Sequence, residues 1–268
     1  MRLFPLNLFD RWLAPVPDWR KVEWITQTDF AHRGVHGSAG DHGAERVENS
    51  LSAFAAAMDR GLGIECDVRR SSDGRAMVFH DRDLDRLTDQ AGPIAARSSK
   101  ILTGLNLAGS EDRILALRDL LVRIAGRVPV LIELKSDRET RVPALCLSVR
   151  RVLEGYVGPH AVMSFDPRVS RWFFTHSPHT VRGLIVSEED DKAILGSIRR
   201  QMALWHARPD FLAYDIRDLP SRFASAHRHR GLPIATWTVR SAQHLERARA
   251  HADAAIAEGE GLPSDGPA

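Results

Sequence analysis

Two short stretches, Glu65-Cys66-Asp67 and Glu133-Leu134-Lys135, place charged residues two positions apart at the ends of apolar runs. Side chains alternate across a strand, so this spacing puts both charges of each pair on one face. In Gly63–Val68 the apolar face is Ile64, Cys66 and Val68, and the other carries Glu65 and Asp67. In Leu131–Lys135, Ile132 and Leu134 oppose Glu133 and Lys135, and in Phe30-Ala31-His32 the histidine falls opposite Ala31. Brought together at strand ends, these residues make three carboxylates, a lysine and a histidine. Three carboxylates in one low-dielectric space repel and resist ionisation. A hard divalent cation removes the conflict, and an all-oxygen ligand set suits Mg2+, Ca2+ or Mn2+ over zinc. The competing reading is a buried salt-bridge network in which Lys135 and Arg33 neutralise the acids. Burying that many charges with no ligand is costly, which favours the cation.

A second histidine, His80, closes the short apolar run of Val78-Phe79-His80-Asp81. It follows an extra strand after the Glu65/Asp67 strand and so can return to the same end. The remaining histidines, among them His36, His42, His160, His176 and His227, read as ordinary surface or core residues.

The elements that must position these groups alternate. Candidate strands are 29–34, 63–68, 128–135, 161–166, 181–186, 211–216, 233–239 and 253–258, with helices over 50–60, 138–153, 168–175, 190–205 and 242–249 between them. Alternating strands and helices imply parallel pairing through crossovers. Eight such units in about 250 residues predict an α/β fold, a single (β/α)8 TIM barrel, with active-site residues at the C-terminal ends of its strands. An open doubly wound sheet would carry a Gly-rich phosphate turn after strand one, where this chain has His32-Arg33-Gly34. A short insertion after strand 2, from Asp73 to Arg118, starts with the extra strand 76–79 and continues as a long loop of the kind that is commonly functional.

The net charge of +2 gives no electrostatic footprint for nucleic acid. Only four of the 37 basic residues are lysines, which singles out Lys135. Cys66 and Cys146 are far apart, in no metal spacing, and read as buried free thiols of a reducing compartment, hence a cytoplasmic protein. No apolar run approaches the roughly 20 residues that span a bilayer. Residues 1–28 read as an N-terminal extension, 29–260 as the barrel and 261–268 as a flexible tail. The extension is apolar at Leu3, Phe4, Leu6, Leu8, Phe9, Trp12 and Leu13 but interrupted by Pro5, Asp10 and Arg11. That makes it a poor secretory segment; it packs on the domain or makes a weak membrane contact.

These motifs, in order, resemble the glycerophosphodiester phosphodiesterase family. The matches are His32-Arg33-Gly34, Glu48-Asn49-Ser50, Glu65-Cys66-Asp67-Val68, Ser72-Asp73-Gly74, Val78-Phe79-His80-Asp81 and Ile132-Glu133-Leu134-Lys135. Ser164-Phe165-Asp166 and Thr236-Trp237-Thr238-Val239 are later echoes. The resemblance spans almost the whole chain from Ala31 and is to the family's compact forms. It implies a (β/α)8 barrel with Glu65, Asp67 and Glu133 on one divalent cation. It also implies His32 and His80 as general acid and base, Arg33 and Lys135 on the phosphate, and Trp237 walling the pocket. The implied substrate is a small glycerophosphodiester, split to sn-glycerol 3-phosphate and an alcohol, a reaction of glycerol and lipid metabolism. Where the family often ends its last strand with Thr-Asp, this chain has Ala257-Glu258. Asn49 either orients a residue of the site or caps a helix. Trp237 fits the core as well as the pocket wall. Two other readings stand beside this one: a lysophospholipase D cleaving the same bond in a lipid-bearing substrate, and a non-catalytic barrel binding a phosphorylated ligand.

Overall fold

Parallel strands covered on both faces are expected to be apolar on both faces, and the strands of this chain largely are, with Glu65, Asp67 and Glu133 among the buried exceptions. The computed structural model describes residues 9–37, 46–188 and 194–263. The readings for Leu3, Phe4, Leu6, Leu8, His42, the start of the 190–205 helix and residues 264–268 lie outside them.

Among the described residues ten strands form: β1 (Phe30–Ala31), β2 (Gly63–Arg70), β3 (Ala76–Val78), β4 (Leu115–Ala116) and β5 (Val130–Leu134), then β6 (His160–Ser164), β7 (Val181–Val186), β8 (Phe211–Asp215), β9 (Ile234–Val239) and β10 (Ala254–Ala257). β1, β2 and β5 to β10 pair in parallel, and β1 pairs with both β2 and β10, which closes an eight-stranded barrel. Helices at Leu51–Asp59, Val142–Leu153, Pro167–His176, Ile194–Ala207, Arg222–His229 and Ala242–His251 connect most of these strands. Ile64, Cys66, Ile132 and Leu134 pack in the layer between strands and helices, as their alternation requires. Cys66 and Cys146 are both buried and unpaired.

Strand one differs from the expected 29–34. The paired segment is only Phe30–Ala31, because Arg33 and Gly34 take positive φ values of 56° and 82°. A Cβ on Gly34 would lie 2.7 Å from the Ala53 backbone, so the turn brings the chain against the following helix where only glycine fits.

The inner core at the N-terminal end of the barrel includes Phe30, Leu131, Phe211 and Ile256, joined by Val22 and Ile25 from the segment before strand one. Trp19–Val22 is a short helix continued by a 3-10 turn over Glu23–Gln27, so this half of the N-terminal segment plugs the barrel floor. Farther upstream, buried Asp10 accepts hydrogen bonds from Gln201 Nε2 (2.6 Å) and Trp205 Nε1 (2.7 Å), fixing the segment to the helix Ile194–Ala207. The insertion after β2 has its own small core, with Met77, Phe79, Leu84, Ile94, Leu102 and Ile114 at its centre. β3 and β4 extend the sheet from β2 in antiparallel fashion, which carries His80 back towards the barrel mouth. No helix among the described residues is long and apolar enough to cross a membrane.

Candidate active site

The parallel register of β2 with β5 sets Asp67 beside Glu133, and Glu65 shares their face two residues earlier. One carboxylate oxygen from each of Glu65, Asp67 and Glu133 lies within 4.8 Å of the others, and all three residues are buried. Lys135 Nζ is 2.9 Å from Asp67 Oδ1 and 2.7 Å from Glu133 Oε1. Arg33 Nε is 3.2 Å from Asp67 Oδ2, and its Nη1 is 2.9 Å from Glu48 Oε1. The Arg33 backbone N–H donates to Glu65 Oε2 at 3.0 Å.

Asn49 orients the site. Its Nδ2 donates to Asp67 Oδ2 at 2.9 Å, and its Oδ1 accepts from the Asp67 backbone N–H at 3.2 Å. The cap of the helix Leu51–Asp59 is Ser50, which accepts from Ala53 N–H.

These charges separate the acids. Burial, and then the charges of Asp67 and Glu133, push the Glu65 carboxyl well above its ordinary range. Burial acts in the same direction on Asp67, but Lys135 and Arg33 outweigh it and hold that carboxyl low. Glu133 is raised by burial, with Lys135 opposing. Lys135 and Arg33 resist the effect of their own burial because the carboxylates hold them charged.

The three acids fit a hard cation. Glu65 Oε1 is buried and has no hydrogen-bond partner, a costly state for a carboxylate oxygen. The donor set is entirely oxygen, as Mg2+, Ca2+ and Mn2+ prefer.

Both histidines are at this end. His32 is buried, and its backbone N–H donates to Ala257 O at 2.8 Å, continuing the β1–β10 pairing by one residue. That register puts His32 beside Glu258, whose Oε2 accepts a short hydrogen bond from Nδ1. Arg240 Nε donates to the other oxygen, Glu258 Oε1, at 2.5 Å. Glu258 is held well below the usual carboxylate range because the groups around it, His32 foremost, outweigh burial. His32 is lowered by burial, with Glu258 pulling the other way. His80 is half-buried, its Nδ1 is 2.7 Å from Asp81 Oδ1, and Arg69 Nε donates to its carbonyl at 2.8 Å. Burial lowers His80 as well, and it is close enough to feel Asp67, Lys135 and Arg33. Arg86 ties Asp81 to Glu48, completing a polar belt that joins both histidines' surroundings.

Trp237 lies on β9, packed against the inner core, and its Nε1 donates to Ala213 O at 2.9 Å. Its ring meets half-exposed Phe165 edge-on, with centroids 5.3 Å apart. Of the eight residues singled out from the sequence, Glu65, Asp67, Glu133, Lys135 and Arg33 are in mutual contact, His32 and His80 lie close to them, and Trp237 stands apart on β9. Two more that reading missed as partners are Glu258 and Glu48. The alternation rule applied to 253–258 marks Glu258 as a charge ending an apolar strand, the same signal that marks Asp67.

Comparison with known proteins gives one family. The profile of the "Glycerophosphoryl diester phosphodiesterase family" matches residues 32–258. A Mycobacterium tuberculosis protein named "Probable glycerophosphodiester phosphodiesterase 1" is 36% identical over 83 residues, 31% of this chain and 28% of its own length. The rat glycerophosphodiester phosphodiesterase 1 is 28% identical over 145 residues, 49% of this chain and 42% of its own. The chain thus spans less than half the length of these curated relatives. An Oleispira antarctica phosphodiesterase, solved in complex with its product sn-glycerol-3-phosphate, superposes with a TM-score of 0.73. It is 23% identical, over 86% of this chain and 92% of that one, and supports the barrel fold.

Proposed function

Because the chain belongs to the glycerophosphoryl diester phosphodiesterase family, we propose that it hydrolyses glycerophosphodiesters to sn-glycerol 3-phosphate and an alcohol. The observation that carries this reading is the convergence of Glu65, Asp67 and Glu133 within 4.8 Å, beside Lys135 and Arg33. The Oleispira protein's bound product is the one this reaction would release.

In this reading Glu65, Asp67 and Glu133 hold one divalent cation, Mg2+, Ca2+ or Mn2+. Such an ion supplies Lewis acidity towards a non-bridging phosphate oxygen. Arg33 offers a planar fork of donors to a phosphate, and Lys135 adds a point charge next to Glu133. Glu48 and Asp67 hold the guanidinium in place, so it arrives oriented. His32 is the base that accepts a proton from water or from the neighbouring glycerol hydroxyl. Glu258 accepts from Nδ1–H, which leaves the Nε2 lone pair free for that proton. Burial lowers its affinity for a second proton and so favours the neutral ring. His80 is the acid that protonates the leaving alkoxide. Asp81 accepts from its Nδ1 and so favours the charged ring, and an anionic substrate adds to that effect. Trp237 and Phe165 wall the side where the alcohol sits.

A lipid-bearing substrate is the second reading, favoured by the exposure of Phe9, Trp12 and Trp19. Trp19 lies with the segment that plugs the barrel floor and Phe9 meets Trp205 of the helix Ile194–Ala207, away from the acids at the mouth. That position supports membrane contact more than it supports feeding lipid to the site. Two buried free thiols support a cytoplasmic location.

The deciding experiment is a hydrolysis panel of glycerophosphocholine, other deacylated glycerophosphodiesters and a lysophospholipid, each with Mg2+, Ca2+ or Mn2+. Release of sn-glycerol 3-phosphate from deacylated substrates is the expected result. Tight binding with no product would replace the enzyme by a phosphate-ligand receptor.

A further inference from the structure

A second group of potential metal ligands borders the first and differs from it in chemistry. His32, His36 and Glu258 each present a donor atom, all within 4.8 Å of one another. The turn at Arg33 and Gly34 reverses the chain, so that a histidine four residues on returns beside His32. The Gly37–Arg46 bridge then pins the segment, with hydrogen bonds of 3.1 Å in both directions. Arg240 holds Glu258 by Oε1, which leaves Oε2 directed at the two imidazoles.

His36 is the unusual member. Its Nε2 is buried and lacks a hydrogen-bond partner, yet it stands 3.6 Å from Glu258 Oε2. That is too long for a hydrogen bond. It is close to the separation of two donors on one tetrahedral zinc, about 3.3 Å for metal–ligand bonds of 2.0–2.1 Å. Two imidazole nitrogens and one carboxylate oxygen also form a common three-ligand zinc set with a free fourth position. Imidazole favours zinc and its neighbours, whereas the acidic cluster favours Mg2+, Ca2+ or Mn2+.

We propose that His32, His36 and Glu258 form a separate transition-metal site that takes Zn2+ and switches His32 off. His32 Nδ1 now carries the proton donated to Glu258. For Nδ1 to bind the metal, that proton must move to Nε2, and the imidazole stays neutral. The nitrogen available as base is then protonated, so the ring cannot accept another proton there. Zinc would inhibit without entering the acidic cluster. The inhibitory consequence rests on the reading of His32 as base; the metal site itself does not.

The test uses the purified full chain in excess Mg2+, titrated with Co2+ as a spectroscopic substitute for zinc. The expected result is one Co2+ per chain, with visible absorption of a low-coordinate nitrogen-ligated ion. His36→Ala and the more conservative His36→Gln should each weaken Co2+ binding roughly tenfold or more, with hydrolysis in Mg2+ unchanged. Zn2+ should inhibit the wild type in a way that added Mg2+ does not relieve, and both variants should resist it. Absence of Co2+ binding in excess Mg2+ overturns the site, as does binding that His36→Ala leaves intact. Inhibition that Mg2+ relieves equally in wild type and variants would place zinc in the acidic cluster and also overturn it. If the chain proves not to hydrolyse phosphodiesters, the Co2+ spectrum still decides the metal site.

Discussion

Replacing Glu258 by glutamine should cost more activity than the loss of one negative charge suggests, because Arg240 dictates how the new amide must sit. In the native site Glu258 Oε1 accepts from Arg240 Nε at 2.5 Å, and Oε2 accepts from His32 Nδ1. Arginine can only donate, so the glutamine carbonyl must turn towards Arg240. Its NH2 group is then left facing His32, and Nδ1 becomes the acceptor. The proton of the neutral ring shifts to Nε2, the atom that accepts a proton in the proposed reading.

A forced tautomer of this kind, together with loss of a charge-assisted bond, lowers kcat by about 10²–10⁴-fold, or about 3–5 kcal/mol of transition-state stabilisation. KM should change little, since Glu258 does not touch the phosphate in the proposed reading. Steady-state kinetics on a glycerophosphodiester, with circular dichroism to establish that the variant is folded, measures this. An Arg240→Met background provides a sharper check. With the guanidinium removed, the amide can present its carbonyl to Nδ1, so the added Glu258→Gln change should cost less there. In Glu258→Ala the acid limb of the residual activity should move to lower pH. His32 must be neutral to act as base, and loss of the carboxylate removes an interaction that favours its protonated form. A folded Glu258→Gln enzyme with near-native kcat, or a loss confined to KM, refutes the orientation argument.

Other consequences follow from single contacts. Glu65→Gln leaves the acidic cluster short of a charge and should weaken metal affinity by roughly 10-fold or more; Mn2+ binding followed by electron paramagnetic resonance reads this directly, and unchanged affinity removes Glu65 from the ligand set. Burial lowers His227 to about 4, with Asp10 opposing and Arg230 assisting. The unfolded chain therefore binds a proton between pH 6.5 and 4 that the folded chain does not, and stability falls as pH falls through that window, by at most about 3 kcal/mol. Denaturant titrations of wild type and His227→Gln at pH 7 and 4.5 should show a smaller loss in the variant. Gly183→Ala would set a Cβ 2.4 Å from Phe211 Cζ inside the barrel. Overpacking there should cost about 1–3 kcal/mol and lower Tm by several degrees, and an unchanged Tm would mean that Phe211 has room to move.

What the sequence disclosed depended on the range of the relations involved. The barrel strands were legible because burial on both faces leaves Val130–Leu134 and Phe211–Asp215 apolar or nearly so. Glu65, Asp67 and Glu133 were legible because a period of two separates faces within a few residues. The partner of His32 was not, because Glu258 lies 226 positions away and meets it only when β10 closes on β1. His36 looked ordinary for a related reason: its place follows from the positive φ of Arg33 and Gly34, which no spacing rule encodes. The floor plug was also hidden. Val22, Trp24 and Ile25 lie close together among polar residues in no strand or long-helix pattern, and only the open end of a barrel gives them a core to enter.

The charges at the centre explain why this barrel interior tolerates so many acids. With no cation bound, burial and its two like neighbours favour the neutral form of Glu65. Asp67 and Glu133 lie against Lys135 and Arg33, and Glu48 extends the network outward from Arg33 to Arg86. A divalent ion that ionised Glu65 would bring two positive charges against one new negative charge, shifting the site by one charge towards positive. In the proposed reading a phosphodiester monoanion would cancel that shift, and a phosphate monoester dianion would overshoot it. Charge alone would then favour the ionic form of the proposed substrate over that of its phosphorylated product, and would favour the product's departure once the ester bond is broken.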